Sequence, residues 1–171
     1  MILVVRGDLA SVAADAVVRP ADATLAPASP ASRLLDAAAG PSFADALAAR
    51  KRDLAVGSAV VTPAGEATAE FALHCIVGED EKAATPDALR RSLEAALWHC
   101  VQWHIGALAV PGLGDGLGPV AAGDAMRVIL DAMNGPMRNP EHPATVLIVA
   151  SSEQEQERYM ARLGPSGRGA A

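Results

Sequence analysis

Strands alternating with helices along nearly the whole chain predict an α/β fold whose sheet is covered on both faces. Short apolar runs recur from Met1-Ile-Leu-Val-Val5 to Ala144-Thr-Val-Leu-Ile-Val-Ala150, with helical patterns between them. The composition is rich in alanine and valine and only 3% aromatic, which suits helix faces packed closely on a sheet of branched residues. At 171 residues one domain is the default, large enough to bury a core without disulfides or metals. That domain is expected to span residues 1–163, with a disordered Gly-rich tail over 164–171.

Met1–Val5 and Asp15–Arg19 are apolar runs bounded by turn residues and read as buried strands joined through Gly7-Asp8-Leu9-Ala10-Ser11. Residues 21–32, rich in Pro, Ala and Ser, read as a loop, and a loop of that length is commonly functional. Helices are expected over 31–39 and 42–52, separated by Gly40-Pro41, a pair that stops one helix and starts another. Strands over 57–62 and 71–77 follow, joined by a turn around Pro63 to Gly65. After an acidic surface loop, Thr85-Pro86-Asp87 opens an amphipathic helix running to about His104. Trp98 and Trp103 on that helix are expected to fill the gap between helix and sheet. A strand over 105–110 feeds a glycine loop, a helix covers about 121–133, a strand 144–150 and a polar-faced helix 153–163.

Acidic residues outnumber basic ones, 20 to 14, which argues against a surface that neutralises a nucleic-acid backbone. The one basic run, Arg50-Lys51-Arg52, falls at an expected helix end, where cations complement the dipole. No stretch is long and apolar enough to span a bilayer, and the start goes straight into a strand without a signal-peptide pattern, so a soluble cytoplasmic protein is expected. Cys75 and Cys100 lack Cys-x-x-Cys spacing and read as small buried apolar residues, not as a zinc site. His74 and Cys75 are strand neighbours that point to opposite faces, and His99 and His104 lie on different faces of one helix. No metal or cofactor is implied.

The most distinctive segment is Ala107-Leu-Ala-Val-Pro-Gly-Leu-Gly-Asp-Gly-Leu-Gly118, a strand that breaks into a loop with alternating glycines. Such a loop can turn backbone N–H groups toward a ligand, and the helix that follows adds the positive end of its dipole, so the order describes a phosphate site. A tight turn needing glycine only for its geometry is the alternative. The loop is not a Walker loop, since Gly-Lys-Ser/Thr is missing. Nor is it a dinucleotide fingerprint, since Leu117 and Pro119 stand where Gly or Ala is required.

In this order the chain resembles a macro domain, the α/β/α module that recognises ADP-ribose. Arg6-Gly-Asp-Leu9 is similar to the family's Gly-Asp-Ile segment and Asp15-Ala-Val-Val18 to its Asp-Ala-Ile-Val strand. Ala38-Ala-Gly-Pro41 resembles the end of its first helix, Leu73-His-Cys-Ile-Val-Gly78 its Ile-His-Thr-Val-Gly strand, and Val110–Gly118 its second ligand loop. The resemblance implies a three-layer α/β/α fold around a central mixed sheet and a small-molecule nucleotide such as ADP-ribose as ligand, free or carried on a modified protein. It implies that Asp8 accepts a hydrogen bond from the adenine amino group and that Leu9 adds a backbone contact. The turn-capping reading of Asp8 stands beside that one. It also implies that the amides of Gly114, Asp115, Gly116, Leu117 and Gly118 wrap the diphosphate and the distal ribose; a carboxylate at Asp115 repels the phosphates unless it points to solvent or contacts a ribose hydroxyl.

The other half of the family's pocket is altered. Arg19-Pro-Ala-Asp22 replaces Asn-Ala-Ala-Asn, Pro27-Ala-Ser-Pro30 replaces a run of glycines, and Ser32 stands where many hydrolytic members carry an acid. The first phosphate loop thereby loses two amide donors to proline. Three functions follow: capture of ADP-ribose or a related adenine nucleotide diphosphate; hydrolysis of an ADP-ribosyl ester or related linkage, with Asp22 activating water and Arg19 or Arg33 offsetting its charge; or a degenerate scaffold for another phosphorylated ligand or a protein partner. Weak or absent hydrolysis is expected.

Overall fold

In a computed structural model that describes residues 1–50 and 54–164, the chain runs β1 (Ile2–Arg6), β2 (Ala16–Asp22), α1 (Pro30–Ala48), β3 (Ala59–Pro63), β4 (Phe71–Gly78), a 3₁₀ turn (Glu81–Ala83), α2 (Pro86–Gln102), β5 (Ala107–Pro111), α3 (Ala122–Asn134), β6 (Thr145–Ala150) and α4 (Glu153–Leu163). The expected helix end at Arg52, most of the basic run and the tail beyond Gly164 lie outside the described residues.

The strands form one six-stranded sheet in the order β1-β6-β5-β2-β4-β3. Every pairing is parallel except β3 with β4, so the sheet is mixed only at that edge. Strand alternation assigns the two faces. Val18, Leu73, Leu108, Val110, Val146 and Ile148 point to a large core shared with α2, α3 and Tyr159 of α4. Val17, Ala72, Ala109 and Val149 point the other way, to Leu35, Ala39 and Phe43 of α1 and to Leu9. Helices thus cover both faces, which makes three layers. Small residues on the α1 side let helix and loops approach the sheet closely.

Local signals set the ends. Ser29, Thr85 and Ser152 cap α1, α2 and α4 by accepting the backbone N–H three residues on. Gly40 breaks α1 with φ of 76°, the interruption that Gly40-Pro41 predicts. Asp15 binds three strands at their starts: its Oδ2 accepts from the N–H groups of Gly106 and Ala107 at 2.8 Å each, and its carbonyl accepts from Glu70 and Phe71. β2 and β5 therefore start level, and their far ends open side by side.

One expectation is corrected. Trp98 and Trp103 do not fill the helix–sheet gap; they are 55% and 51% exposed. The buried stripe of α2 is Ala88, Leu89, Ser92, Leu93, Ala96, Leu97 and Cys100, and Trp98 lies off it, while Trp103 sits past the helix end against Phe71. The third helix, Ala122–Asn134, falls where it is expected, and its N-cap residue Ala121 offers no side-chain hydrogen bond.

Candidate functional site

A cleft opens at the carboxyl ends of β1, β5 and β6, the end of a parallel sheet at which ligands usually bind. Its walls are Gly7, Asp8 and Leu9 after β1; Pro30, Ala31 and Leu34 at the start of α1; Pro111 to Gly116 after β5; and Val149, Ser151 and Glu155 around the end of β6. Its cavity volume is about 170 Å³. Drug-sized ligand pockets are commonly about 300–1,000 Å³, so this cleft seats one portion of a larger ligand.

The fold brings Asp8 and Leu9 to one wall. Asp8 is exposed, and its carboxylate draws the following turn together: Oδ1 accepts from Ala10 N–H at 2.9 Å and Ser11 N–H at 3.0 Å, and Oδ2 accepts from Ser11 Oγ–H at 2.7 Å. These bonds, the Ser11 hydroxyl foremost, hold the carboxyl below its ordinary pKa. The turn-capping reading is therefore correct, yet a carboxylate has about four lone-pair sites and acceptor capacity is left over. Leu9 is buried against the α1 face of the core, leaving its backbone at the cleft wall.

The second loop divides in two. Gly114, Asp115 and Gly116 line the cleft, whereas Leu117 and Gly118 do not. Leu117 is buried in the core, and its N–H is bonded to Val120 O at 2.8 Å; Gly116 N–H is bonded to Leu113 O at 2.8 Å. Of the five amides named from sequence, those of Gly114, Asp115 and Gly118 have no partner among the described residues. Gly116 has φ of 83°, and a Cβ there would come 2.5 Å from Val120 O, so this position requires glycine. Asp115 is exposed. The first turn of α3 faces a neighbouring groove with Arg158 and Arg162 that shares Gly114 and Glu155 with the cleft.

Sequence reasoning missed Glu155. It is 4% exposed and lies against Gly112 and Gly114. The readable signal was Ser152-Glu-Gln-Glu155, a capping-box pattern at the head of α4. Tyr159, one turn on, donates its hydroxyl to Gly112 O, and burial with the Glu155 charge pushes the phenol pKa upward. The glycine loop is thus braced from behind by α4.

Asp22 does not line this cleft. Its Oδ1 accepts from Thr24 N–H at 2.8 Å, Thr24 Oγ–H at 2.7 Å and Ala26 N–H at 3.0 Å, so it clasps its own loop. Arg19 does not offset its charge. Arg19 is fully buried and forks onto Asp36 of α1, Nε to Oδ1 and Nη2 to Oδ2 at 2.6 Å each, while Nη2 also donates to Leu25 O at 3.1 Å. Its Nη1 lies 3.3 Å from His74 Nδ1, and His74 Nε2 lies 2.7 Å from Thr62 Oγ1. Burial, then the charges of Arg19 and Arg50, push the His74 pKa down to about 3, so the ring is neutral. A guanidinium only donates, which assigns the acceptor role to Nδ1 and the proton to Nε2, donating to Thr62.

Cys75 faces the opposite side from His74, with Sγ 3.4 Å from Ser92 O. Burial pushes both cysteine thiols up to about 12, and neither is a nucleophile at neutral pH. Among the described residues there is no group of three His, Cys, Asp or Glu side chains placed to hold a metal, and no helix long and apolar enough to cross a membrane.

With this geometry in place, comparison with known proteins is informative. The Macro domain profile matches residues 18–129. An uncharacterised protein of Aeropyrum pernix is 31% identical, over 86% of this chain and 77% of its own length. A Salmonella gallinarum protein named O-acetyl-ADP-ribose deacetylase is 24% identical over 96% of this chain and 94% of its own. Among solved structures, the Oceanobacillus iheyensis macrodomain with ADP superposes with a TM-score of 0.80 at 19% identity, covering 94% of this chain and 88% of that one. The Trypanosoma brucei macrodomain in complex with ADP-ribose gives 0.72 at 18%, covering 95% and 69%.

Proposed function

The chain belongs to the macro domain family, and from that premise we propose that it binds ADP-ribose or a related adenine nucleotide diphosphate in the cleft between Asp8 and the Pro111–Gly116 loop. The observation that carries this reading is the pairing of donors and acceptors across one cleft. On one wall the Asp8 carboxylate has spare acceptor capacity for an adenine amine. On the other, the amides of Gly114 and Asp115 lack partners among the described residues and can donate to phosphate oxygens. The relatives solved with ADP and with ADP-ribose support the same ligand class.

The reading is binding, not turnover. A general base must reach the proton it removes directly or through one water. Asp22 is held in its own loop, and the loop residues 22–29 contribute nothing to the cleft wall. The deacetylase name of the Salmonella relative belongs to a protein with 24% identity, and the altered first loop argues against carrying that activity over.

Thermal-shift and calorimetric titration with ADP-ribose, ADP, AMP, NAD and inorganic phosphate test the proposal. Adenine diphosphates at a hundred times their Kd should stabilise the fold by about 2.7 kcal/mol, and phosphate alone should not. The matching variant is Gly7→Leu. Gly7 lines the cleft, and a Cβ built on it meets nothing within 4 Å, so the fold should tolerate a side chain that costs the ligand about tenfold in affinity. Stabilisation by none of these nucleotides, or an unchanged affinity in Gly7→Leu, would reject this site.

A further inference from the structure

Gly112 is the last fixed point before the glycine loop, and two elements fix it. Its N–H donates to Val149 O of β6 at 2.9 Å, and its carbonyl accepts the Tyr159 hydroxyl from α4. Tyr159 is fully buried, and a Cβ on Gly112 would overlap the Glu155 carboxylate and come 3.2 Å from the Tyr159 ring, so the missing side chain lets the loop pass close over α4. Downstream, Gly116 N–H closes the turn on Leu113 O at 2.8 Å. Between these anchors the N–H groups of Leu113, Gly114 and Asp115 have no partner among the described residues, and all three residues line the cleft. Leu113 has φ of 55°, a left-handed conformation that leucine rarely adopts, and such a kink turns successive N–H groups toward one side.

The direction of the first of these amides follows from one peptide plane. The carbonyl of Gly112 and the N–H of Leu113 belong to the same planar trans unit and point opposite ways. Tyr159 takes the carbonyl on the core side, so the Leu113 N–H is turned out of the core. The Leu113 side chain is itself buried in that core, and what Leu113 presents to the cleft is therefore its backbone. Direction matters because other donors are lacking. Among the described residues that line the cleft there is no Lys, Arg or His, and the Ser151 hydroxyl is spent on Glu155 Oε2 at 2.8 Å, so a phosphate there is held by amides. Asp8, Asp115 and Glu155 oppose it with their charges. Arg158 and Arg162, on the same face of α4 as Glu155, border the adjoining groove and set two positive charges against that buried carboxylate.

We propose that Tyr159 is a positioning residue for phosphate binding: through the Gly112 peptide it aims the Leu113 N–H, an amide outside the five named from sequence, at a phosphate oxygen of the nucleotide. The proposal rests on the nucleotide reading above and adds to it a donor at Leu113 and a determinant on α4. No covalent bond is made or broken.

Amide nuclear magnetic resonance of the nitrogen-labelled full chain, titrated with ADP and separately with adenosine, tests it, with affinities for both ligands read from the same titrations on wild type and Tyr159→Phe. In wild type the Leu113 amide proton should move downfield with ADP and stay near its free position with adenosine, which has no phosphate. Removing the hydroxyl leaves Gly112 O without its donor and frees the Gly112–Leu113 peptide to tilt. Tyr159→Phe should therefore bind ADP about tenfold more weakly, the scale of a hydrogen bond to a charged group, and bind adenosine as before. A tyrosine that merely fills the core would lower the melting temperature and leave the ratio of the two affinities alone. A Leu113 amide unmoved at saturation with ADP would overturn the proposal, as would a ratio unchanged in Tyr159→Phe. Failure of wild type to bind either ADP or ADP-ribose would overturn the nucleotide reading as well, whereas ADP binding without these responses overturns this one alone. Should the variant not fold, the wild-type resonance decides.

Discussion

The loops that follow β2 and β5 sit side by side at the same end of the sheet, and they spend their polar groups in opposite ways. After β2, every backbone N–H from Asp22 to Ala28 is answered within the protein, whereas those of Ser29 and Ala31 have no partner among the described residues. Asp22 Oδ1 takes three hydrogen bonds, Arg19 reaches Leu25 O, Ala28 N–H reaches Pro20 O at 3.1 Å, and Ser32 Oγ–H reaches the same Pro20 carbonyl at 2.7 Å. After β5, the amides of Leu113, Gly114 and Asp115, which line the cleft, and the buried Oε1 of Glu155 have no answer among the described residues. Unpaired polar groups near the interior are expensive, and a fold that keeps several in one place reserves them for something that binds. The first loop spends its groups on the protein, and the second lines the cleft with donors unpaired among the described residues.

The largest effect that would sharpen this contrast is expected at Arg19. Replacing it by Met removes the buried partner of Asp36, whose side chain is 26% exposed and can recover only part of its hydration. Arg19→Met should lose about 3 kcal/mol, the lower end of the range for breaking a buried pair, read from the urea midpoint. The folded fraction should keep its affinity for ADP, because the damage falls on the sealed side. Loss of affinity without loss of stability would place Arg19 in the ligand site and break the comparison.

His74, in the same network, should make stability fall in mild acid. Its pKa is held near 3 in the folded chain against about 6.5 unfolded, so between these values the unfolded state binds more protons and stability declines as pH falls. From pH 6.5 to 5 the loss should be about 2 kcal/mol, before most carboxylates titrate. His74→Gln should flatten that stretch of the pH–stability curve. A curve as steep as that of wild type would mean that another group carries the dependence.

Much of the fold was legible because it rests on local and periodic signals: the apolar runs, the cap at Thr85, and the break at Gly40-Pro41. Asp8 and Gly114, each named from its own segment, do come to one cleft. The site was not legible where two distant segments meet. Ser152-Glu-Gln-Glu155 announces a helix cap, but nothing near residue 155 says that its second oxygen will lie over Gly112 and Gly114. The offset of Asp22 by Arg19 could have been rejected from sequence, since residues three apart on a strand point to opposite faces. The exposure of Trp98 was equally readable, as it lies off the stripe formed by Leu89, Leu93, Ala96, Leu97 and Cys100.

On the open side, Asp8→Ala separates two duties of one carboxylate. The turn over Ala10 and Ser11 loses its three hydrogen bonds, so thermal stability should drop by about 1 kcal/mol. Binding of ADP should weaken by about 1.5 kcal/mol if the freed acceptor sites read the adenine amine. Inosine diphosphate supplies the control, because its base has a carbonyl in place of the amine. Equal weakening of ADP and inosine diphosphate would show that Asp8 shapes the turn and does not read the base.

The smallest effect is expected at Asp22, where the sequence departs from the family pattern and where catalysis would have to be rescued if the chain were a hydrolase. A carboxylate there could in principle activate water beside a distal ribose. Its Oδ1 instead carries three hydrogen bonds from Thr24 and Ala26, and residues 22–29 do not line the cleft. Misorientation of reacting groups can cost several orders of magnitude in rate, so binding can persist while turnover does not. Incubation with O-acetyl-ADP-ribose, and separately with protein ADP-ribosylated on aspartate and glutamate, should release product no faster with wild type than with Asp22→Ala. The substitution should show itself in the first loop, as lower thermal stability and faster amide exchange between residues 22 and 28, with ADP affinity unchanged. Robust release by wild type that disappears in Asp22→Ala would show the clasp opening on substrate, and the two loops would then form one active site.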